Sequence, residues 1–153
     1  MSFMEYDKLE IETVFKDGDM IPIEYTGYGK NISPEFKIKN LSIKAKSLVI
    51  VLEDLSHPIK NFTHWIAWNI KAESTIPENV GSMDNVIQGI AYGFHKYAGA
   101  KPPLCQKHNY KYTIYSLDDI LTLSSNTMKK KLLKTMEGHI LQKGSITGYF
   151  KNN

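Results

Sequence analysis

The stretch Phe62-Thr63-His64-Trp65-Ile66-Ala67-Trp68-Asn69-Ile70 is dense in aromatic and β-branched residues. Side chains alternate along a strand, so Trp65 and Ala67 would lie on one face, and the other face would carry Phe62, Ile66, Trp68 and Ile70. A strand that is apolar on both faces is covered on both sides. The sequence therefore predicts a strand in the middle of the fold, with one polar ring, that of His64, inside it.

Two other segments, residues 47–53 and 110–117, share this composition and are bounded by turn-forming residues. Shorter candidate strands lie at residues 11–15, 35–38 and 146–150, and turns that contain Gly and Pro separate them. Many short strands with irregular turns favour a sandwich over an alternating β/α sheet. The predicted class is mainly β.

One α-helix is predicted at residues 127–137. Asn126 or Thr127 can cap its start, and Gly138 can end it. Its apolar face, at helical spacing, would consist of Met128, Leu132, Leu133 and Met136. Residues 118–121 are predicted to start a second, short helix.

The length and composition favour a single globular domain, which we place at residues 3–151. Hydrophobic residues make up 42% of the 153 residues, enough for one packed core. The net charge is only +3, and the one basic cluster lies on the predicted helix, at Lys129, Lys130, Lys131 and Lys134. Nucleic-acid binders usually present a larger basic face with stacking aromatic residues, so no nucleic-acid partner is predicted.

The chain has features of a cytoplasmic protein without membrane insertion. Cys105 is the only cysteine, so no disulfide can form within the chain. Glu5 and Asp7 place negative charge where a signal peptide needs positive charge. The longest apolar run, residues 48–52, is too short to span a bilayer.

Polar residues that could take part in binding or catalysis lie at the ends of the three main predicted strands. His64 needs a partner or a cavity, because burying an unpaired polar group costs about 1–3 kcal/mol. His108 and Tyr110 are two residues apart, so their side chains leave the same face of a strand. Asp54 comes at the end of the strand at residues 47–53. If the three strand ends converge, these four side chains form one cluster.

Such a cluster suits a small anion such as phosphate. The two imidazoles would provide N–H donors, the phenol would add a third, and Asp54 would select the tautomer of one ring. Backbone amides of residues 99–103 would add donors. Residues 81–107 form a long segment without periodicity, which we expect at the rim of a pocket. The structural alternative treats His64 as a satisfied core residue and Asp54 as a turn former.

Two catalytic alternatives follow from the same residues. Asp54, His64 and His108 would make a two-histidine, one-carboxylate metal set, but no local ligand motif accompanies them. Cys105 lies three residues from His108, yet a reactive thiolate needs a rigidly positioned base. We therefore predict no catalytic residue, no metal and no cofactor. The remaining histidines are interpreted as exposed turn, loop and helix-end residues: His57, His95 and His139.

Five blocks of the sequence, in order, resemble the phosphatidylethanolamine-binding protein family, and specifically its prokaryotic Raf-kinase-inhibitor-like branch. They are Ile21-Pro22 with Asn31-Ile32-Ser33-Pro34, Glu53-Asp54 with Pro58, Thr63-His64-Trp65 with Asn69, Pro102-Pro103 with His108 and Tyr110, and Gly138-His139 with Gly148-Tyr149. The resemblance implies a two-sheet antiparallel sandwich with a few short peripheral helices. It also implies a small anion pocket formed by Asp54, His64, Pro103, His108 and Tyr110.

The same resemblance implies ligands and partners. The expected ligand is phosphate or a phosphoryl-ethanolamine-like phospholipid head group, bound without catalysis. The alternative function is inhibition of a protein kinase or a protease through surface loops, and a homodimer is also implied. Three residues depart from the family pattern near the pocket: Ser56, Lys101 and Asn109.

Overall fold

Nine strands and one α-helix make up residues 6–153, the part of the chain that the computed structural model describes. The strands are β1 (Asp7–Lys8), β2 (Ile11–Thr13), β3 (Phe36–Ile38), β4 (Ser47–Asp54), β5 (Phe62–Lys71), β6 (Thr75–Ile76), β7 (Ile87–Gln88), β8 (Lys107–Leu117) and β9 (Ile140–Lys151), and the helix is α1 (Lys129–Met136). Two 3₁₀ turns lie at Ile23–Tyr25 and Val80–Ser82. The mainly β prediction is confirmed. The predicted domain start at residue 3, and Glu5 of the signal-peptide reasoning, lie outside the described residues.

Two sheets form the predicted sandwich. The larger sheet has the order β1-β9-β8-β4-β5-β7, and the smaller has the order β2-β3-β6. Every pairing between two of these nine strands is antiparallel except the edge pair β1 and β9, which is parallel. The three longest pairings are β4 with β5, β4 with β8, and β8 with β9. These pairings bring distant parts of the sequence together at one edge of the large sheet.

Strand β5 contributes to two hydrophobic cores. Trp65 and Ala67 belong to the main core, which contains residues of both sheets, such as Phe36. Ile66 and Trp68 belong to a second core on the outer face of the large sheet, under α1. The prediction that this strand is covered on both sides is confirmed.

Strict alternation along β5 is wrong at Ile70, which lies in the main core with Trp65. The pairing of β4 with β5 shifts register in two places, and Asn69 adopts a left-handed φ of 57° beside one of them. An extra residue in a strand turns the following side chain to the other face. The second shift lies at His64, whose ring therefore points to the same side as the ring of Trp65.

Helix α1 is shorter than predicted. Met128 occupies its N-cap position without a side-chain hydrogen bond and is 61% exposed, so the predicted cap and the predicted place of Met128 in the apolar face are both wrong. Thr127 instead uses its carbonyl to accept a hydrogen bond from the backbone of Ile90. Gly138, with a φ of +82°, follows the end of the helix as predicted.

Residues 118–121 are not helical. The side chain of Asn69 donates to the carbonyl of Leu121 and accepts from its amide, at 2.8 and 2.9 Å. The hydroxyl of Ser47 donates to the carbonyl of Asp119 at 2.6 Å. These contacts with β4 and β5 satisfy the backbone groups that a helix would have paired.

Within the described residues, no helix has both the length and the apolar character needed to cross a membrane.

Strand β9 extends well beyond the predicted residues 146–150. Its first half contains Gln142 and Gly144, which do not indicate a strand by composition. Gly144 lies against the backbone of Leu9, where any side chain would clash. Gln142 is buried and bonds to Ser116 and to the carbonyl of Asn40. Tertiary contacts therefore favour the extended conformation here.

Candidate functional site

The ends of β4 and β8 and the start of β5 meet at one edge of the large sheet. Asp54 pairs with Tyr110 of β8 on one side and with Phe62 of β5 on the other. Because residues two apart in a strand share a face, His108 lies beside Tyr110. The ring of His64 lies 5.5 Å from that of Tyr110. The structure thus places all four predicted polar side chains in one cluster.

Asp54 and His108 form the shortest contact of the cluster. The Nδ1 atom of His108 donates to Oδ2 of Asp54 at 2.7 Å, and both side chains are buried, with residue exposures of 7% and 3%. A carboxylate accepts hydrogen bonds and cannot donate them, so Nδ1 carries a hydrogen. Asp54 therefore selects the tautomer of His108, in the way the sequence predicted for one ring.

Asp54 also forms the turn that follows β4. Its Oδ1 atom accepts a hydrogen bond from the backbone N–H of Ser56 at 2.8 Å. The hydroxyl of Ser56 in turn accepts one from the backbone of Asn109 at 2.9 Å. The turn-forming alternative and the site alternative are both compatible with this carboxylate. Ser56, which departs from the family pattern, thus links the turn to β8 by a hydrogen bond next to His108.

His64 is held in a single tautomer. Its Nδ1 atom lies 2.9 Å from the carbonyl oxygen of Ala98, and a carbonyl can only accept, so Nδ1 donates. Its Nε2 atom lies 3.9 Å from Oδ2 of Asp54. Burial lowers the pKa of His64, although the carbonyl of Ala98 and the carboxylate of Asp54 favour the charged form. The neutral ring therefore presents an acceptor, not the expected N–H donor, toward Asp54.

Tyr110 lies beneath the two imidazoles and is fully buried. Its ring is 6.3 Å from that of His108. Within residues 6–153 its hydroxyl makes no well-aligned hydrogen bond, although the backbone of Lys101 lies close enough to act on its pKa. Burial, reinforced by the carboxylate of Asp54, raises the pKa of Tyr110 well above its ordinary value, so the phenol stays protonated. The fully buried Tyr110 is not among the residues that line the cavity above this cluster.

A cavity of about 310 Å³ opens above the cluster. Its walls come from the turn after β4, from the segment at residues 92–106, and from β5 and β8. The lining residues are Asp54, His57, Pro58, His64, Tyr92, Lys101, Pro102, Pro103, Gln106 and His108. The predicted member Pro103 lies in this wall. Five of the lining residues belong to the long segment that was expected at a pocket rim.

The segment at residues 97–102 is tied to the start of the chain. The hydroxyl of Tyr97 donates to the carbonyl of Tyr25 at 2.7 Å, and Tyr28 donates to the carbonyl of Pro102 at 2.5 Å. The amide of Gly99 donates to the side chain of Asn31 at 2.7 Å. These bonds explain how residues 25–31, which lie far from the cavity in sequence, hold one of its walls.

The prediction that backbone amides of residues 99–103 would donate to an anion is wrong for most of these residues. The amide of Gly99 is already used by Asn31, and Pro102 and Pro103 have no N–H. Side chains therefore supply most of the donors available to a ligand in this wall. Lys101, a departure from the family pattern, belongs to the lining, and its Nζ atom lies 5.8 Å from the centroid of the Tyr28 ring.

Six lining residues were not predicted as site members: His57, Pro58, Tyr92, Lys101, Pro102 and Gln106. Three of them contact aromatic or imidazole rings at the site. Gln106 contacts Nε2 of His108 at 3.0 Å. Tyr92 has a left-handed φ of 55°, and its ring lies 4.7 Å from that of His64. His57, interpreted as an exposed turn residue, stacks on Phe62 with ring centroids 3.9 Å apart. A turn position and a lone glutamine give no sequence signal for such roles.

The metal alternative finds no support in the geometry. Among the described residues, no group of three or more His, Cys, Asp and Glu side chains is arranged to hold a metal ion. In the cluster itself, Nδ1 of His108 and Nδ1 of His64 already donate to protein oxygens. Cys105 is exposed and does not line the cavity.

Comparisons with known proteins cover nearly the whole chain. The sequence model of the family described as phosphatidylethanolamine-binding protein matches residues 11–151. The UPF0098 protein PH1269 of Pyrococcus horikoshii is 40% identical over 151 residues, which are 94% of this chain and 76% of that protein. The match to the family model includes every residue that lines the cavity.

Two crystal structures are similar to this one. One is a phosphatidylethanolamine-binding protein homolog, CT736, from Chlamydia trachomatis, with a TM-score of 0.84 and 29% identity; the match covers 96% of this chain and 99% of that one. The other is YbcL of E. coli, also with a TM-score of 0.84, at 20% identity, covering 95% and 99% of the two chains. The second likeness shows a shared fold.

Proposed function

The chain belongs to the phosphatidylethanolamine-binding protein family, and we propose that its cavity binds a small phosphate-type anion, free or as a phosphorylated head group. The resemblance of the five sequence blocks to the phosphatidylethanolamine-binding protein family is thereby confirmed. The observation that carries the proposal is the meeting of Asp54, His64 and His108 in the wall of one cavity, with the ring of Tyr110 buried next to both imidazoles.

Charge and hydrogen bonding support an anionic ligand. The cavity wall includes one cation, Lys101, and two histidines other than His64, namely His57 and His108. Among the described residues that line the cavity, Asp54 is the only carboxylate, and its two oxygens already accept from Ser56 and His108. The balance therefore favours a negative guest.

The same wall supports binding without catalysis. His108 with Asp54 would make a base and its orienting partner, but a nucleophile must lie within hydrogen-bond reach of the base. The described residues that line the cavity include no Ser, Thr or Cys, and Nε2 of His108 faces Gln106. We therefore propose a binding protein and not an enzyme.

A regulatory protein partner, such as a kinase or a protease, is the second candidate. The turns that carry the cavity wall also carry large apolar side chains in contact with solvent. Ile59 is 62% exposed and Leu104 is 67% exposed, and each follows a lining proline directly. Exposed apolar side chains beside a ligand site are typical of interaction surfaces.

Titration of the imidazole NMR signals with inorganic phosphate tests the binding proposal. We expect the signals of His64 and His108 to shift in a saturable way at millimolar phosphate or below. His64→Ala should weaken binding by about tenfold or more, because a lost hydrogen-bond partner for a charged ligand is worth about 1.5–3 kcal/mol.

The matched control is His95→Ala, since His95 is exposed and does not line the cavity. This variant should bind phosphate as the unaltered chain does. An unaltered chain whose imidazole signals stay constant at millimolar phosphate contradicts the proposal.

A further inference from the structure

Two hydrogen-bond acceptors face each other beside the cavity with no hydrogen between them. In the neutral tautomer fixed by Ala98, Nε2 of His64 carries a lone pair. Oδ2 of Asp54, 3.9 Å away, is a carboxylate oxygen that accepts from His108 and retains further acceptor capacity. At 3.9 Å these two atoms are too far apart for a direct hydrogen bond.

We propose that this acceptor pair makes the site select oxyanions that carry a hydroxyl hydrogen, such as hydrogen phosphate, over anions of equal shape and charge without one, such as sulfate. The inference rests on the proposed function and names its substrate class. A hydroxyl of the ligand would donate to Nε2 of His64 or to Oδ2 of Asp54. The other ligand oxygens would accept from the remaining polar side chains of the wall, the NH₂ group of Gln106 and the ammonium of Lys101.

The preference for phosphate over sulfate follows from the free-energy cost of placing a ligand acceptor against the two acceptor atoms of His64 and Asp54. Hydrogen phosphate and sulfate are both tetrahedral dianions at slightly alkaline pH, but only the phosphate has a proton to donate. A sulfate oxygen near Nε2 of His64 would place two lone pairs together in a buried site. Leaving buried groups without partners is how sites reject ligands that lack a single hydrogen bond.

Sulfate would otherwise require His64 to take up a proton. Burial opposes that step, since His64 is 3% exposed and its pKa lies below the ordinary value. The titratable and charged groups around the ring and cavity are Asp54, His57, Tyr92, Lys101, His108 and Tyr110. Of these, Asp54 favours protonation of His64 and His57 opposes it.

Calorimetric titration of the unaltered chain at pH 8 with three dianions tests the inference: phosphate, sulfate and fluorophosphate. Fluorophosphate keeps the phosphorus and the charge of phosphate but has no hydroxyl. We expect phosphate to bind at least about tenfold more tightly than either of the others, the ratio that one unmade buried hydrogen bond predicts. Equal affinity for the three anions would overturn the selectivity while leaving the proposed function standing. Binding of none of them would instead remove the proposed function.

His64→Gln examines the residue responsible. Its amide can turn an NH₂ group toward the cavity, so we expect the preference for phosphate over sulfate to fall below about threefold, mainly through tighter sulfate binding. A folded His64→Gln variant that keeps the full preference would show that His64 is not the selecting residue. If this variant does not fold, the fluorophosphate measurement on the unaltered chain still decides the inference.

Discussion

Single atoms at the cavity have hydrogen-bond roles that residue type alone does not specify. Asp54 uses one carboxylate oxygen for the turn at Ser56 and the other for the ring of His108. His64 uses one nitrogen for the carbonyl of Ala98 and leaves the other as an acceptor. The two imidazoles are therefore not equivalent: Nδ1 of His108 donates to a carboxylate, and Nδ1 of His64 donates to a carbonyl oxygen.

The free energy of unfolding should depend on pH in part through the protonation of His64. Its pKa is lowered in the folded chain, so below about pH 6.5, the ordinary histidine value, the unfolded state binds more protons than the folded state. Stability should therefore fall as the pH decreases from about 6.5 toward the native pKa of His64. Thermal unfolding measured at a series of pH values will show this as a falling Tm.

Comparison with two variants isolates that contribution. In His64→Gln the part of the fall that begins near pH 6.5 should be absent, because no group with a lowered pKa remains at this position. His95→Gln, which changes an exposed histidine, should keep the fall of the unaltered chain. Parallel pH profiles for the unaltered chain and His64→Gln would contradict this assignment.

At the scale of elements, the large sheet separates the site from the helix. The cluster at the end of β4 lies on the same side as the main core, whereas α1 packs on the second core across the sheet. Leu132 and Met136 of α1 are fully buried there. Stability contributed by the helix and ligand binding at the cavity should therefore be separable.

Leu132→Ala should destabilise the fold without weakening anion binding. Removing a fully buried leucine side chain costs about 2–5 kcal/mol, because it leaves a cavity as well as losing apolar burial. Denaturant unfolding measures that loss, and phosphate titration of the folded variant should give an unchanged Kd.

The matched control on the same helix is Lys130→Ala, since Lys130 is exposed. This variant should change stability by less than about 0.5 kcal/mol. A large loss of phosphate affinity in folded Leu132→Ala would show that the two faces of the sheet are coupled.

At the scale of the whole molecule, the face around the cavity mouth is the surface that a protein partner would contact. Tagged chain used as bait in an extract of its own cells should retain a partner that Leu104→Asp fails to retain, because an exposed apolar contact is replaced by a charge. The captured protein is then assayed for kinase or protease activity with and without the chain.

Ile43→Asp serves as the control for that experiment, since Ile43 is fully exposed and precedes β4 at the end opposite Asp54. It should retain the same partner as the unaltered chain. Retention of identical proteins by all three chains, or of none, would contradict a regulatory role for this face.

The sequence by itself determined the class, the covered strand β5 and the set of strand-end residues that meet. Aromatic and β-branched residues on both faces of residues 62–70 can be buried only between two apolar layers, whatever covers them. Residues two apart in β8, His108 and Tyr110, must share a face. The family motifs identified the same positions, because the polar residues at these strand ends are part of its pattern.

Only the tertiary structure decided the details on which the chemistry depends. The register shifts in β5 turn Ile70 and His64 to the main-core side, and they result from pairing with β4 over the whole strand. The contact of Gln106 with His108 and the tether from Asn31 to Gly99 join side chains to distant partners. Local propensity does not encode such contacts, since each depends on where another segment packs, and hydrogen-bond roles at the cavity follow from that packing.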